Sequence, residues 1–266
     1  MRLTKRASRA EDQPRVESPD EQHGDGLPER LARLAGSQSE DRGERARQLA
    51  DVAGALAGSA RQAGGRAVVG GRWLVDTLLD VAPRLPLRDR ETLRAHHPGL
   101  DDRAIAAALV RGASRTTGLL GAAGGAVAAA SWAAPPSLLL SGPVELAAET
   151  LAVAAVEVKL VAELHALHGV VPRGTAVERT QQYVSSWAQG RGIDPTDPKW
   201  MASTLGTAAK AQIRKRMMGR AARGVTTLGP LLSGAAAGAL VNSKATRGLA
   251  ARIQEDLEGK VWRAGS

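Results

Sequence analysis

Apolar residues along this chain recur at helical spacing, and β-branched residues nowhere alternate with polar ones over a strand-length stretch. A short helix is predicted from Leu27 to about Gly36. A second, over Ser39–Gly64, places Leu49, Val52, Ala53 and Leu56 on one side. The pairs Gly64-Gly65 and Gly70-Gly71 interrupt the chain at its end. Trp73–Val81 is strongly apolar, with Asp76 and Asp80 one turn apart on its polar side, and Pro83 and Pro86 end it. Asp89 is suited to cap a short helix Arg90–His96, and Pro98-Gly99 makes a turn. Asp101 or Asp102 then caps Arg103–Ala113, where Ile105, Leu109 and Ala113 repeat at i,i+4.

The next 29 residues, Thr116–Val144, carry no charge. Pro135-Pro136 limits the helix within them to Thr116–Ala134. Val144–His168 reads as a nearly all-apolar helix stopped by Gly169 and Pro172, and such a helix belongs at the centre of a fold. Val177–Gln189 is a further helix, closed by Gly190, and Asp194–Pro198 is a turn. Trp200–Arg223 is predicted as a long basic helix. A second charge-free run, Gly224–Ser243, comes after it, with Gly229-Pro230 expected to break it. Lys244–Trp262 closes the chain as an amphipathic helix with Leu249, Ile253 and Leu257 in register. The fold class is all-α: a compact multi-helix bundle around the helix at about 144–168, with Ala/Gly-rich helical hairpins. Residues 1–38 are expected to be disordered or weakly helical, and 39–266 to form a single helical domain.

Composition alters this picture in two ways. Phe is absent and Tyr occurs once, so the core rests on Leu, Val, Ala and five Trp residues. Burying a Leu or Val contributes roughly 1.5–3 kcal/mol and Ala much less, so helices this rich in Ala and Gly must approach closely. Cys is absent, which excludes disulfides, thiolate catalysis and Cys-ligated metals. Met1–Arg9 is basic but no apolar stretch comes after it, so a secretory signal is not expected.

Charge points to a partner. The formal net charge is +9, yet residues 1–48 hold ten basic and ten acidic residues. Residues 198–254 contain ten basic residues and no acidic one. A block of one sign selects an anionic partner, either membrane lipid or nucleic acid. Lys210, Arg214, Lys215, Arg216, Arg220, Arg223, Lys244 and Arg247 are the candidate contacts. No aromatic residues interleave with them for base stacking, which favours lipid, or a membrane protein, over nucleic acid.

Both charge-free runs carry glycines at i,i+4: Gly121 with Gly125, and Gly234 with Gly238. That spacing clears one face for a second backbone. The runs are open to three readings, as bilayer spans, as shallow or re-entrant membrane elements, or as buried elements of a soluble fold. On the central helix Glu145, Glu149, Lys159 and Glu163 fall within an arc of about 80°, with Glu157 and His168 on another side. A dinuclear carboxylate site needs Glu-x-x-His, whereas Glu163 is followed by His at i+2 and i+5. The stripe is therefore read as a buried charge network completed by Arg residues of the basic helix, with an acid/base role for Glu149 and Glu163 as a further alternative. His96-His97 belong to a turn. No phosphate loop, Gly-x-Ser-x-Gly motif, metal site or cofactor site is recognised.

Two stretches carry a family likeness. Leu160–Gly169, read Leu-Val-Ala-Glu-Leu-His-Ala-Leu-His-Gly, resembles the helix and aromatic-Gly element of the EcsC-like family, with His168 where the family usually has Tyr. Gly229–Asn242, continuing through Thr246-Arg247, resembles that family's Gly/Ala segment ending in Asn. The order and spacing of the two also fit, over about residues 100–260. The resemblance implies a helical, membrane-associated protein and supplies no catalytic residues. The expected function is non-enzymatic, at the inner face of the cytoplasmic membrane. The alternative is a soluble basic adaptor for nucleic acid or an acidic protein.

Overall fold

The computed structural model describes residues 26–37, 41–63, 72–131, 142–192 and 228–265. Among these there are eight α-helices and no strand. They are α1 (Leu27–Gly36), α2 (Arg42–Ala63), α3 (Arg72–Val81), α4 (Arg90–Ala95), α5 (Asp102–Ser131), α6 (Gly142–Leu167), α7 (Ala176–Gly190) and α8 (Leu228–Gly265). The expected disorder before residue 26, the turn Asp194–Pro198 and the basic helix Trp200–Arg223 lie outside the described residues. So do Lys210, Arg214, Lys215, Arg216, Arg220 and Arg223.

Helix α6 is the centre. From Ala148 to Leu167 every residue is buried except the half-buried Thr150 and Lys159. Helices α1, α2, α3, α5, α7 and α8 all pack against it. Its Leu151, Leu160, Leu164 and Leu167 each contribute roughly 1.5–3 kcal/mol by leaving water. Between them Ala148, Ala152, Ala155 and Ala162 let neighbouring helices come close.

Two helices are longer than the sequence pattern predicts. Arg103–Ala113 and the charge-free residues up to Ser131 form one 30-residue helix, α5. Asp101 starts it by accepting the Ala104 N–H at 2.7 Å. The change from charged to charge-free composition at Arg115 is a change of surroundings, with no backbone break in it. From Leu228 the second run and the tail likewise form one 38-residue helix, α8, so this part of the run is not a hairpin. Gly229-Pro230 opens the helix where a break was expected. A proline in the first turn removes an N–H that has no helical partner anyway.

Helix α7 begins with a capping box in which Thr175 accepts the Glu178 N–H and Glu178 accepts the Thr175 N–H at 2.7 Å. Gly190 does not close this helix by its backbone freedom. It is buried, and a Cβ there would lie 2.6 Å from Leu249 Cδ1 of α8. The chain turns two residues later, at Gly192, whose φ is +71°.

Candidate functional site

Helices α5 and α8 make the most extensive helix–helix contact in the bundle. They run antiparallel, because Thr117 meets Thr246 while Gly121 meets Gly238. A Cβ on Gly121 would sit 2.4 Å from the Gly238 carbonyl oxygen, and one on Gly238 would sit 2.3 Å from that of Gly121. Backbone touches backbone at this point, and no side chain fits. Gly118 belongs to the same crossing, with the Ala239 carbonyl 3.3 Å from where its Cβ would be. The i,i+4 spacing singles out Gly121 and Gly238 but misses Gly118, one turn back at i−3. Gly125 and Gly234 lie on the same two helices, outside the residues whose surroundings are described.

The antiparallel pairing brings the two charge-free runs side by side. Helix α5 has no charged residue from Thr116 to Ser131, and α8 has none from Leu228 to Ser243. Sixteen residues of helix span about 24 Å. Where the uncharged halves end, cations begin on both helices. Arg111 and Arg115 on α5 and Lys244 and Arg247 on α8 are all exposed within about two turns of the Thr117–Thr246 contact. Among the described residues, Arg111, Lys244 and Arg247 form no salt bridge. Just above the cations, Leu240 is 72% exposed and Val241 54% exposed. Ala236 and Ala237 are only partly covered beside them. Among the described residues no helix is long and apolar enough to cross a membrane.

Beneath this collar lies a buried polar cluster. The Glu157 carboxylate, fully buried, accepts from Trp187 Nε1 at 2.9 Å, Arg191 Nε at 2.9 Å and Thr246 Oγ1 at 2.7 Å, and also from Arg191 Nη2. The Thr117 hydroxyl lies 2.8 Å from Thr246 Oγ1. Since Thr246 has one proton and gives it to Glu157, Thr117 is the donor between the two hydroxyls. One carboxylate on α6 thus gathers α7, α8 and, through Thr246, α5. The helical projection sets Glu157 aside from the charged stripe, yet its bonds join α6 to α7 and α8.

The stripe itself divides. Glu149 accepts from Asn242 Nδ2 at 3.1 Å and lies against Gly124, where a Cβ would come within 2.1 Å of its Oε2. Glu163, about 21 Å further along the helix, takes a two-pronged bond from Arg88, Nε to Oε1 at 2.8 Å and Nη2 to Oε2 at 2.9 Å, and a bond from Lys159 Nζ. These bonds give Glu149 and Glu163 no partner in common. The arginine on Glu163 comes from the segment before α4, while the basic helix expected to meet the stripe lies outside the described residues. The hydrogen bond to Glu163 raises the Arg88 pKa, while burial lowers that of Lys159. The side chain of Glu145 lies outside the described residues. Among the described residues no group of His, Asp and Glu could hold a metal ion.

No protein-family model matches this chain, and neither a curated protein nor a solved structure does.

Proposed function

We propose that this chain is a non-enzymatic, EcsC-like helical protein that docks on the anionic, cytoplasmic face of a membrane. The paired charge-free ends of α5 and α8 enter the headgroup region to shallow depth. Arg111, Arg115, Lys244 and Arg247 meet lipid phosphates at its edge, joined by the cations of 199–223. What supports the reading is the level at which charge begins on both helices, with exposed Leu240 and Val241 directly above exposed Lys244 and Arg247. A cation near an anionic leaflet contributes about 1 kcal/mol, so four contribute roughly 4 kcal/mol. Removing the exposed parts of Leu240 and Val241 from water adds roughly 2–3 kcal/mol. The sum corresponds to reversible, salt-sensitive attachment and not to insertion across the bilayer.

Vesicle flotation tests this. The protein is expected to float with vesicles containing phosphatidylglycerol at low salt, to stay behind with phosphatidylcholine alone, and to be released by about 0.5 M salt, where screening is nearly complete. Lys244→Glu with Arg247→Glu is expected to abolish flotation, and Leu240→Asp to weaken it. No flotation of the wild type at low salt overturns the proposal. Retention on duplex DNA without flotation transfers the acid-free stretch 198–254 to a nucleic-acid role instead.

A further inference from the structure

A cleft of about 410 Å³ opens between the C-terminus of α1, the segment from Pro86 to Arg88, α5 and α6. It is lined by Arg88, Lys159 and Glu163 together with Leu109, Leu119 and Leu160. Two cations there share one carboxylate. Glu163 satisfies the Arg88 fork and also accepts from Lys159, so it neutralises one of the two and leaves one positive charge over. Among the described residues no other carboxylate lines the cleft, while Arg115 and the two histidines His96 and His97 do. The surplus is not dispersed in water, because the Lys159 side chain is only 13% exposed and that of Arg88 23%. Both retain donors beyond those given to Glu163: Nη1 of Arg88, and two ammonium protons of Lys159. A half-buried, uncompensated cation in a cleft with apolar lining is an incomplete ion pair.

We infer that this cleft binds a phosphate ester, its phosphate between Arg88 and Lys159 and its organic portion along the Leu109–Leu160 wall. A phosphate presents several oxygens in different directions, and the remaining donors of a guanidinium and an ammonium can share them. The volume is within the range of small-molecule sites. The ester is either a soluble metabolite or the headgroup of an anionic lipid. Chemistry and site are the same for both, and the inference does not depend on the collar of α5 and α8.

Gly112 makes the test specific. It lines the cleft, it is exposed, and a Cβ added to it meets nothing within 4 Å. A Cβ at Gly112 therefore meets no core atom, so Gly112→Met extends a side chain from the cleft wall, and in mid-helix Met is favoured over Gly. Calorimetric titration in phosphate-free buffer at low salt would use glycerol 3-phosphate, dihexanoyl phosphatidic acid and, as zwitterionic control, dihexanoyl phosphatidylcholine. Saturable binding of one or both phosphate monoesters is expected, at least about tenfold weaker in Gly112→Met and in Lys159→Met. Preference for phosphatidic acid identifies a lipid headgroup, and equal binding of glycerol 3-phosphate identifies a soluble ester. The inference is overturned if neither ester binds, if phosphatidylcholine binds as well as phosphatidic acid, or if Gly112→Met binds like the wild type. A Gly112→Met protein that loses the ester but still floats with anionic vesicles separates the cleft from the collar.

Discussion

Glu157→Ala removes the acceptor from three side chains at once, and the cost can be worked through partner by partner. Trp187 is 3% exposed, so its indole N–H has no route to water, and a stranded buried donor costs about 1–3 kcal/mol. Thr246 loses little, because the Asn242 carbonyl already lies 3.0 Å from its hydroxyl. The Arg191 side chain is 25% exposed and turns partly towards solvent, which reduces the penalty of an orphaned charge to roughly 1–2 kcal/mol. The void left by the carboxyethyl group adds about 1 kcal/mol. The expected loss is about 3–6 kcal/mol, a fall in Tm on the order of 6–24 °C for a chain of this size. Glu157→Gln is the control. Its carbonyl serves Trp187 and Arg191 Nε, its amide donates to Thr246, and Thr246 donates to Asn242. Only the approach to Arg191 Nη2 remains unfavourable, at about 1–2 kcal/mol. Urea unfolding followed by far-UV circular dichroism reads both, with the slope against urea unchanged. Thr246→Val is expected to cost less in the Glu157→Ala background than in the wild type, since the two groups act together. An Ala variant within about 1 kcal/mol of wild type, or a Gln variant as damaging as Ala, refutes this partner-by-partner account.

Other substitutions probe other parts of the fold. Gly238→Ala forces a Cβ towards a backbone oxygen that cannot swing away, so about 2 kcal/mol of overpacking is expected despite the gain in helix propensity. Gly54→Ala, where a Cβ meets nothing within 4 Å, is expected to stabilise by about 0.5–1 kcal/mol, so the two melting temperatures move in opposite directions. Burial lowers the His165 pKa below the ordinary value, so on acidification the unfolded chain takes up this proton first. The stability due to neutral His165 is whole above about pH 6.5 and is lost as pH falls towards the folded value. Stability is expected to drop as pH falls below about 6.5, with a shallower slope in His165→Phe; an identical slope dismisses His165 as the cause. Arg45 is fully buried and donates to the carbonyl of Leu34 at 2.9 Å and to that of Ser37 at 2.5 Å. Arg45→Met is expected to cost roughly 3 kcal/mol. Hydrogen exchange should show α1 losing protection before α6 does.

The helical class and most helix positions are legible because helical period and capping residues are local signals. Ile105 and Leu109, or Leu249, Ile253 and Leu257, name their own buried face. The lengths of α5 and α8 are not, because a change in charge density at Arg115 and Lys244 resembles a boundary, and because Gly-Pro resembles a stop. Both patterns are compatible with a helix that leaves one environment for another. Thr175-Ala-Val-Glu178 is a readable capping box that the apolar pattern beginning at Val177 obscures. Glycine spacing shows that α5 and α8 have a bare face, but not that they face each other. Glu157 is illegible for a plain reason. Its partners Trp187, Arg191 and Thr246 stand 30, 34 and 89 positions away, and only the packing of three helices brings them to one carboxylate. The same holds for Arg88, 75 positions from Glu163.

The contact between Thr117 and Thr246 closes 129 residues of chain. During synthesis at roughly 5–20 residues per second, Thr117 is made about 6–26 s before its partner Thr246 on α8. For that interval the glycine face of α5 lacks its α8 partner. An Ala-rich helix with a charge-free half, waiting this long in water, is a substrate for a chaperone or for a nearby lipid surface. Helix α8, made after the other described helices, is also the one that seals the bundle. A nascent chain halted before Leu228 therefore lacks its principal interhelical contact, and such truncated chains should be the aggregation-prone species of this protein.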